Sequence, residues 1–216
     1  MKVYILYTYN DKEWDSILCS EYLNKLPAKD AERSLKFKRW QDRQAHILGR
    51  LLLREGLSFL GFKNDIAEIQ FHKLGKPYFK EGPFFNITHS GNYVLCAISE
   101  VELGIDVEEM KDVDIQTFGS IFSEAEINAI DVVSNAVEKQ KLFYEIWTKK
   151  EAIVKALGEG ITMKLKEINT FQIPCFAKGK YYYLHLVQLD TDYISHVSVE
   201  GTKEIKMNLQ RIDFHI

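Results

Sequence analysis

Three things are scarce in this chain, and each shortage removes a class of protein. Cys19, Cys96 and Cys175 are odd in number, far apart and in no CxxC pair. That excludes a disulfide framework and points to reduced thiols in a cytoplasmic protein. The six histidines form no HxxxH or HExxH pattern, which argues against a zinc site. No apolar run approaches the roughly 18 residues of a membrane helix. The opening "MKVYILYTYND" is apolar for too short a stretch to be a secretory signal, and a charged residue follows at once. Linkers and low-complexity stretches are absent as well.

What is present is globular in composition: 46% hydrophobic and 27% charged residues over 216 positions, enough to bury a good core. The net charge of −3 hides an uneven spread. From Lys29 to Arg54 eight Lys or Arg stand against three carboxylates, a net of +5; from Glu100 to Glu159 fourteen carboxylates stand against six lysines, a net of −8. Either block alone has the composition of a solvated helix face. Together they allow a basic segment that holds phosphates and an acidic one that holds a metal sharing them.

"VYILYTY" is β-branched and aromatic, a strand; Trp14, Ile17, Leu18 and Tyr22 follow at helical spacing. Pro27 suits the first position of a helix over "AKDAERSLKFKRW", and Ile47, Leu48, Leu51 and Leu52 mark the buried face of the next. "IAEIQFH" reads as a strand, "LGKPYF" as a turn, and "FFNITH" with "NYVLCAISE" as a hairpin around Ser90-Gly91-Asn92. After the strand "LGIDVE", Ser123 and Glu126 form a capping box, and "AVEKQKLFYEIWTKKEAIVKAL" is a long helix stopped at Gly158. The tail from "TFQI" to "EIKMNLQRI" is strand-rich. Strand, helices, strands occur twice in order, which suggests two similarly built halves joined near residue 102.

Two short stretches carry charge where the surroundings look buried. In "GIDVE", Asp106 and Glu108 are two apart and share one side of a strand, with Ile105 and Val107 on the other. In "WTKKEAIVKALGEG", Trp147, Glu151 and Lys155 are four apart and share a helix face. Carboxylates gathered without His or Cys suit a hard divalent cation such as Mg²⁺, which takes one or two carboxylates and completes its shell with water and phosphate. On spacing alone, a solvated strand end and an exposed Glu-Lys pair remain the commoner outcomes.

The two stretches together resemble the paired signature of the 4′-phosphopantetheinyl transferases, G-[IV]-D-x-E and W-[ST]-x-K-E-A-x-x-K, about forty residues apart. "LGKPYF", "FNITHSG", "IFSEAE" and "DRQAHILGRLLLR" extend the likeness over most of the chain, toward the single-chain, surfactin-synthetase-activating (Sfp) branch. The resemblance implies an α+β fold of two similar α/β halves in pseudo-two-fold arrangement, residues 1–102 with the nucleotide contacts and 103–216 with the carboxylates. It implies a monomeric cytoplasmic enzyme, bound to neither nucleic acid nor membrane. Its reaction would move the phosphopantetheine arm of coenzyme A onto a serine of an apo acyl or peptidyl carrier protein, releasing adenosine 3′,5′-bisphosphate. Asp106, Glu108 and Glu151 would hold Mg²⁺ or Mn²⁺, Glu151 would act as general base, and Lys155 would sit against the phosphates. Lys76 and Pro77 of the G-K-P turn, Thr88, and His89 as a 3′-phosphate ligand would contact coenzyme A, joined by Lys29 and Arg43 from the basic segment. Thr88 stands where the family usually has serine, and Ala45 and His46 where it often has arginine and another polar residue. Trp147 is expected to be core packing.

Two other readings compete: a Mg²⁺-dependent phosphohydrolase, and a non-catalytic module that binds coenzyme A or a carrier. The first has no need of the G-K-P turn and T-H-S strand; the second would tolerate loss of a carboxylate or of Lys155, and all four are present. Between the metal strand and the capped helix, Ile115, Phe118, Ile121 and Phe122 recur at helical spacing, and Phe118 is the expected exposed anchor for a carrier.

Overall fold

A computed structural model describes residues 1–158 and 165–214; Glu159, the last carboxylate of the acidic block, lies outside the described residues. The first half runs β1 (Lys2–Tyr9), α1 (Ser16–Asn24), α2 (Ala28–Leu35), α3 (Trp40–Leu60), β2 (Gln70–Phe71), β3 (Pro77–Tyr78), β4 (Phe84–Ser90) and β5 (Tyr93–Ser99). The second runs β6 (Leu103–Glu109), α4 (Glu124–Asp131), α5 (Ala136–Leu157), β7 (Cys175–Ala177), β8 (Lys180–Leu186), β9 (Tyr193–Glu200) and β10 (Lys206–Arg211). Two four-stranded sheets result, ordered β10-β1-β5-β4 and β6-β9-β8-β7, beside a small β2-β3 hairpin. The fold is α+β, with one long helix on each sheet.

Strand alternation builds the layers. Leu6, Cys96 and Ile98 of the first sheet pack against Ile47, Leu48, Leu51 and Leu52 of α3. Their neighbours Val3, Ile5, Leu95 and Ala97 turn the other way and meet Leu103, Ile105, Val107 and Val197 of the second sheet. The sheets also touch at their edges: Ile105 N donates to Asn86 Oδ1 at 2.9 Å, and Glu109 N donates to Ser90 Oγ at 3.1 Å. These side-chain bridges lay β4 beside β6, and the site grows from that seam.

Helix α5 has the bounds its sequence implies. Asn135 caps its start by accepting from the N–H groups of Val137 and Glu138, a contribution of about 1 kcal/mol, and Gly158 ends it at φ 70°. The Ser123–Glu126 capping box is also present. Glu126 does more: fully buried, it accepts from Lys150 Nζ at 2.8 Å and from Thr170, while Lys150 also donates to the carbonyls of Leu165 and Ile168.

Several elements depart from the pattern. "IAEIQFH" is a 3-10 turn over Ile66–Glu68 before a two-residue strand, because Asp65 Oδ1 accepts from Ala67 N and starts a turn instead. "TFQI" is no strand: Thr170 is bound to Glu126 and Asn169 Oδ1 accepts from Phe171 N. Pro27 is the cap of α2, one position before the first helical residue. The segment with Ile115 and Phe118 is a single 3-10 turn, not a helix face. Finally β10, from the end of the chain, pairs in parallel with β1 in the first sheet, so a cut after residue 102 would divide that sheet.

His196, opposite Asp106 on β9, is buried, and its Nδ1 lies 2.8 Å from Thr148 Oγ1. Thr148 Oγ1 donates to the carbonyl of Tyr144, so it receives the imidazole proton. Burial pushes the His196 pKa down from 6.5 to about 3. The folded chain therefore binds fewer protons than the unfolded one, and this contribution is complete above pH 6.5 and lost as pH falls toward 3. We expect His196→Asn to be less stable than the unaltered chain at pH 7.5. Urea unfolding should show the gap closing toward pH 4.5, by up to ~1.4 kcal/mol per pH unit. A gap that is constant or widens would contradict this.

Candidate active site

Strand β6 presents Gly104, Asp106 and Glu108 to α5 while Ile105 and Val107 enter the core. Asp106 is 3% exposed. Its Oδ1 accepts from Lys155 Nζ at 2.5 Å and lies 3.4 Å from Thr88 Oγ1, and its buried Oδ2 has no partner among the described residues. Burial raises its pKa from 3.8 to about 7; Lys155 opposes that shift, and Glu108 and Glu151 add to it. Glu108 accepts from Ser90 Oγ at 2.8 Å and from Trp147 Nε1 at 3.2 Å. Burial also raises the pKa of Glu151, against Lys155 and with Glu108. Lys155 Nζ reaches Thr88 Oγ1 at 2.9 Å. Thus β4, β6 and α5 bring Thr88, Asp106, Glu108, Glu151 and Lys155 into one coupled group.

Among the described residues no three carboxylate, imidazole or thiol side chains converge closely enough to hold an ion. Lys155 has taken Asp106 Oδ1, and Ser90 and Trp147 have taken both oxygens of Glu108. The donor set nevertheless suits a hard cation. It is all oxygen, one buried oxygen of Asp106 is orphaned, and Glu108 raises the proton affinity of both Asp106 and Glu151.

The remaining candidates scatter. His89, on the opposite face of β4, lines a cavity with Pro77, Phe71, Arg33, His46 and Arg50. Lys29 is exposed on α2, Arg43 is half-buried on α3, and neither lines that cavity. Arg33 and Arg50 lie over the Phe71 ring at 5.0 and 5.8 Å, and Arg50 Nε donates to Asp30 at 2.8 Å. The signal for the missed cations was helical: Asp42, His46 and Arg50 are four apart on α3, and Arg43 falls off that stripe by one residue. Trp147, expected only to pack, also donates to Glu108. Lys76 lines a cleft between the halves with Glu151 and Lys155, yet its ammonium is bound to Glu102 and to the Ala156 carbonyl.

Comparison with known proteins decides the family. Residues 102–209 match the profile of the 4′-phosphopantetheinyl transferase superfamily, and residues 12–101 match that of the 4′-phosphopantetheinyl transferase N-terminal region. The chain belongs to the 4′-phosphopantetheinyl transferase superfamily. It is 36% identical to the transferase gsp of Aneurinibacillus migulanus over 62% of this chain and 55% of that one. It is 28% identical to Sfp of Bacillus subtilis strain 168, covering 78% and 75%. It is 27% identical to ffp of Bacillus subtilis, covering 82% and 86%. The match thus spans about half of the first relative and most of the other two. In this member of the superfamily, the "GIDVE" strand and the "WTKKEAIVK" helix face each other across the group just described.

Asp106 gives a direct test of the electrostatics. Its folded pKa of about 7 lies above the unfolded 3.8, so its contribution to stability is complete below pH 4 and lost as pH rises through 7. With chelator present, Asp106→Asn should melt no lower than the unaltered chain at pH 8, and its relative stability should grow from pH 5 to pH 8. A variant that melts lower at pH 8 would mean Asp106 is a stabilising partner of Lys155 and not a strained one.

Proposed function

We propose that this transferase moves the 4′-phosphopantetheine arm of coenzyme A to a serine hydroxyl of an apo acyl or peptidyl carrier protein. The observation that carries the reading is the buried, partly orphaned Asp106 bonded to Lys155, which with Glu151 lines an inter-half cleft. Gly75 and Asn86 wall both this cleft and the cavity of His89, so the two spaces adjoin. A coenzyme A molecule fits that layout, with its 3′-phosphate among Arg33, His46, Arg50 and His89 and its pyrophosphate near Lys155.

Asp106, Glu108 and Glu151 would hold Mg²⁺ or Mn²⁺, which when bound neutralises phosphate charge and polarises the attacked phosphorus. Glu151, whose carboxyl is held above the usual range by burial, takes the serine proton as general base. The serine oxygen forms the new bond to phosphorus, the anhydride oxygen leaves, and adenosine 3′,5′-bisphosphate is released. Lys155 stabilises charge gathering on the departing phosphate. Thr88 keeps Lys155 aimed, and Trp147 and Ser90 keep Glu108 aimed.

The carrier side is supported by the segment after β6. Met110, Val113, Ile115 and Phe118 are partly buried around Phe143 and Trp147, next to the site. Phe118 is not a projecting anchor: its ring is half-buried, 5.2 Å from Phe143 and 5.5 Å from Trp147. A carrier helix would therefore meet the rim of this aromatic group. The three free thiols suit the cytoplasm, and the chain acts there as a monomer.

Incubation with coenzyme A, Mg²⁺ and several apo carriers, read by intact mass, tests the proposal. The carrier should gain the mass of the arm, and Glu151→Gln should lower kcat about 10²–10⁴-fold. Release of pantetheine phosphate without carrier modification would instead favour a phosphohydrolase. No turnover at all, despite coenzyme A binding, would favour a binding module.

A further inference from the structure

Lys76 has more partners than a phosphate contact requires. Its ammonium donates to Glu102 Oε1 at 3.0 Å and to the carbonyl of Ala156. Ala156 lies in the last turn of α5, where carbonyls have no partner within the helix and a cation meets the negative end of the dipole. Glu102 is itself shared: its second oxygen accepts from Lys180 Nζ at 2.9 Å, and Lys180 reaches Glu200 at 2.8 Å. Charge therefore alternates from the β2-β3 hairpin through the β5-β6 connection to β8 and β9. The inner end is dry and the outer end wet, with 9% of the Lys76 side chain exposed against 42% of Lys180. Gly158 leaves the room: a Cβ there would stand 2.9 Å from Lys76 Cδ.

We infer that Glu102 is a positioning residue for the coenzyme A cleft, holding Lys76 as a clasp that fixes one half of the molecule against the other. The inference rests on the transferase reading above. The cleft has Gly75, Lys76 and Asn86 on one wall and Glu151, Lys155 and Gly158 on the other. The Lys76 contacts join those walls directly. Burial already works against the charged form of Lys76, and Glu102, more than Glu200, is the carboxylate that offsets it. Without Glu102 the ammonium keeps one carbonyl and the nearby charge of Lys180. It then moves to water and takes the turn at Gly75 with it. Gly75 also walls the cavity of His89, so the loss is felt at both ends of the ligand.

Calorimetric titration of coenzyme A into the full chain, without carrier, tests this for the unaltered protein, Glu102→Gln, Lys76→Met and the double variant. Glu102→Gln should bind about tenfold more weakly, equivalent to ~1.4 kcal/mol. Its kcat at saturating coenzyme A should stay within about twofold of the unaltered value. Because Glu102 acts through Lys76, adding Glu102→Gln to Lys76→Met should cost nothing further. Unchanged affinity in Glu102→Gln, or a second tenfold loss in the double variant, would overturn the clasp. Glu102→Asp keeps the charge and shortens the reach; it serves where the glutamine variant does not fold, with the same weakening expected and an unchanged affinity overturning the claim. An unaltered chain that binds no coenzyme A would overturn the functional reading itself.

Discussion

Everything at the site depends on how closely α5 lies on β6. At Gly104 the strand and helix backbones nearly touch: a Cβ there would stand 2.1 Å from the Ala152 carbonyl oxygen and 2.4 Å from Ala156 N. Only hydrogen fits. The neighbouring strand joins the contact, since Ser198 Oγ donates to the same Ala152 carbonyl at 2.8 Å. With the two elements pinned at residue 104, the strand period of two sends Asp106 and Glu108 along the helix. The helix period of four then brings Glu151 and Lys155 to meet them. A glycine thus sets the distance between four charges that lie up to fifty residues apart in sequence.

The helix must also be held in rotation, and buried polar groups do that. Lys150 and Glu151 are adjacent but point to different places: Lys150 is fully buried on Glu126 and the carbonyls of Leu165 and Ile168, and Glu151 faces the cleft. A buried ion pair adds little net stability over an apolar pair, but a misrotated helix would leave both charges unpaired at a cost of about 3–5 kcal/mol. Thr148, bonded to His196, fixes the same helix against β9. The site itself is the opposite case, with one buried carboxylate oxygen unpaired among the described residues. Rigid, satisfied polar groups surround one that is left unsatisfied.

How much of this could be read from the sequence depended on range. Where a signal is local it held: the stop of α5 at Gly158, the hairpin at Ser90-Gly91-Asn92 and the alternation of β6 all follow from neighbouring residues. The pairing of "GIDVE" with "WTKKEAIVK" was legible only because both stretches are motifs. Contacts made by the tertiary fold were not legible. Nothing near Lys76 in sequence announces Glu102 or the carbonyl of Ala156, eighty residues on. Short polar groups also misled: Asp65 and Asn169 hydrogen-bond the backbone locally and turn apparent strands into turns. The basic segment showed its charge but not which cations face the cavity, since one residue of helix register separates Arg43 from the stripe of His46 and Arg50.

The contact at Gly104 is open to one direct measurement, carrier modification by Gly104→Ala compared with its secondary structure. A methyl group must push α5 off β6 by about an ångström or more, and misplacement on that scale can cost about 10²-fold in rate. The account predicts a variant with a far-UV spectrum close to that of the unaltered chain and transfer reduced about a hundredfold or more. A folded Gly104→Ala variant that transfers the arm at the unaltered rate would contradict it.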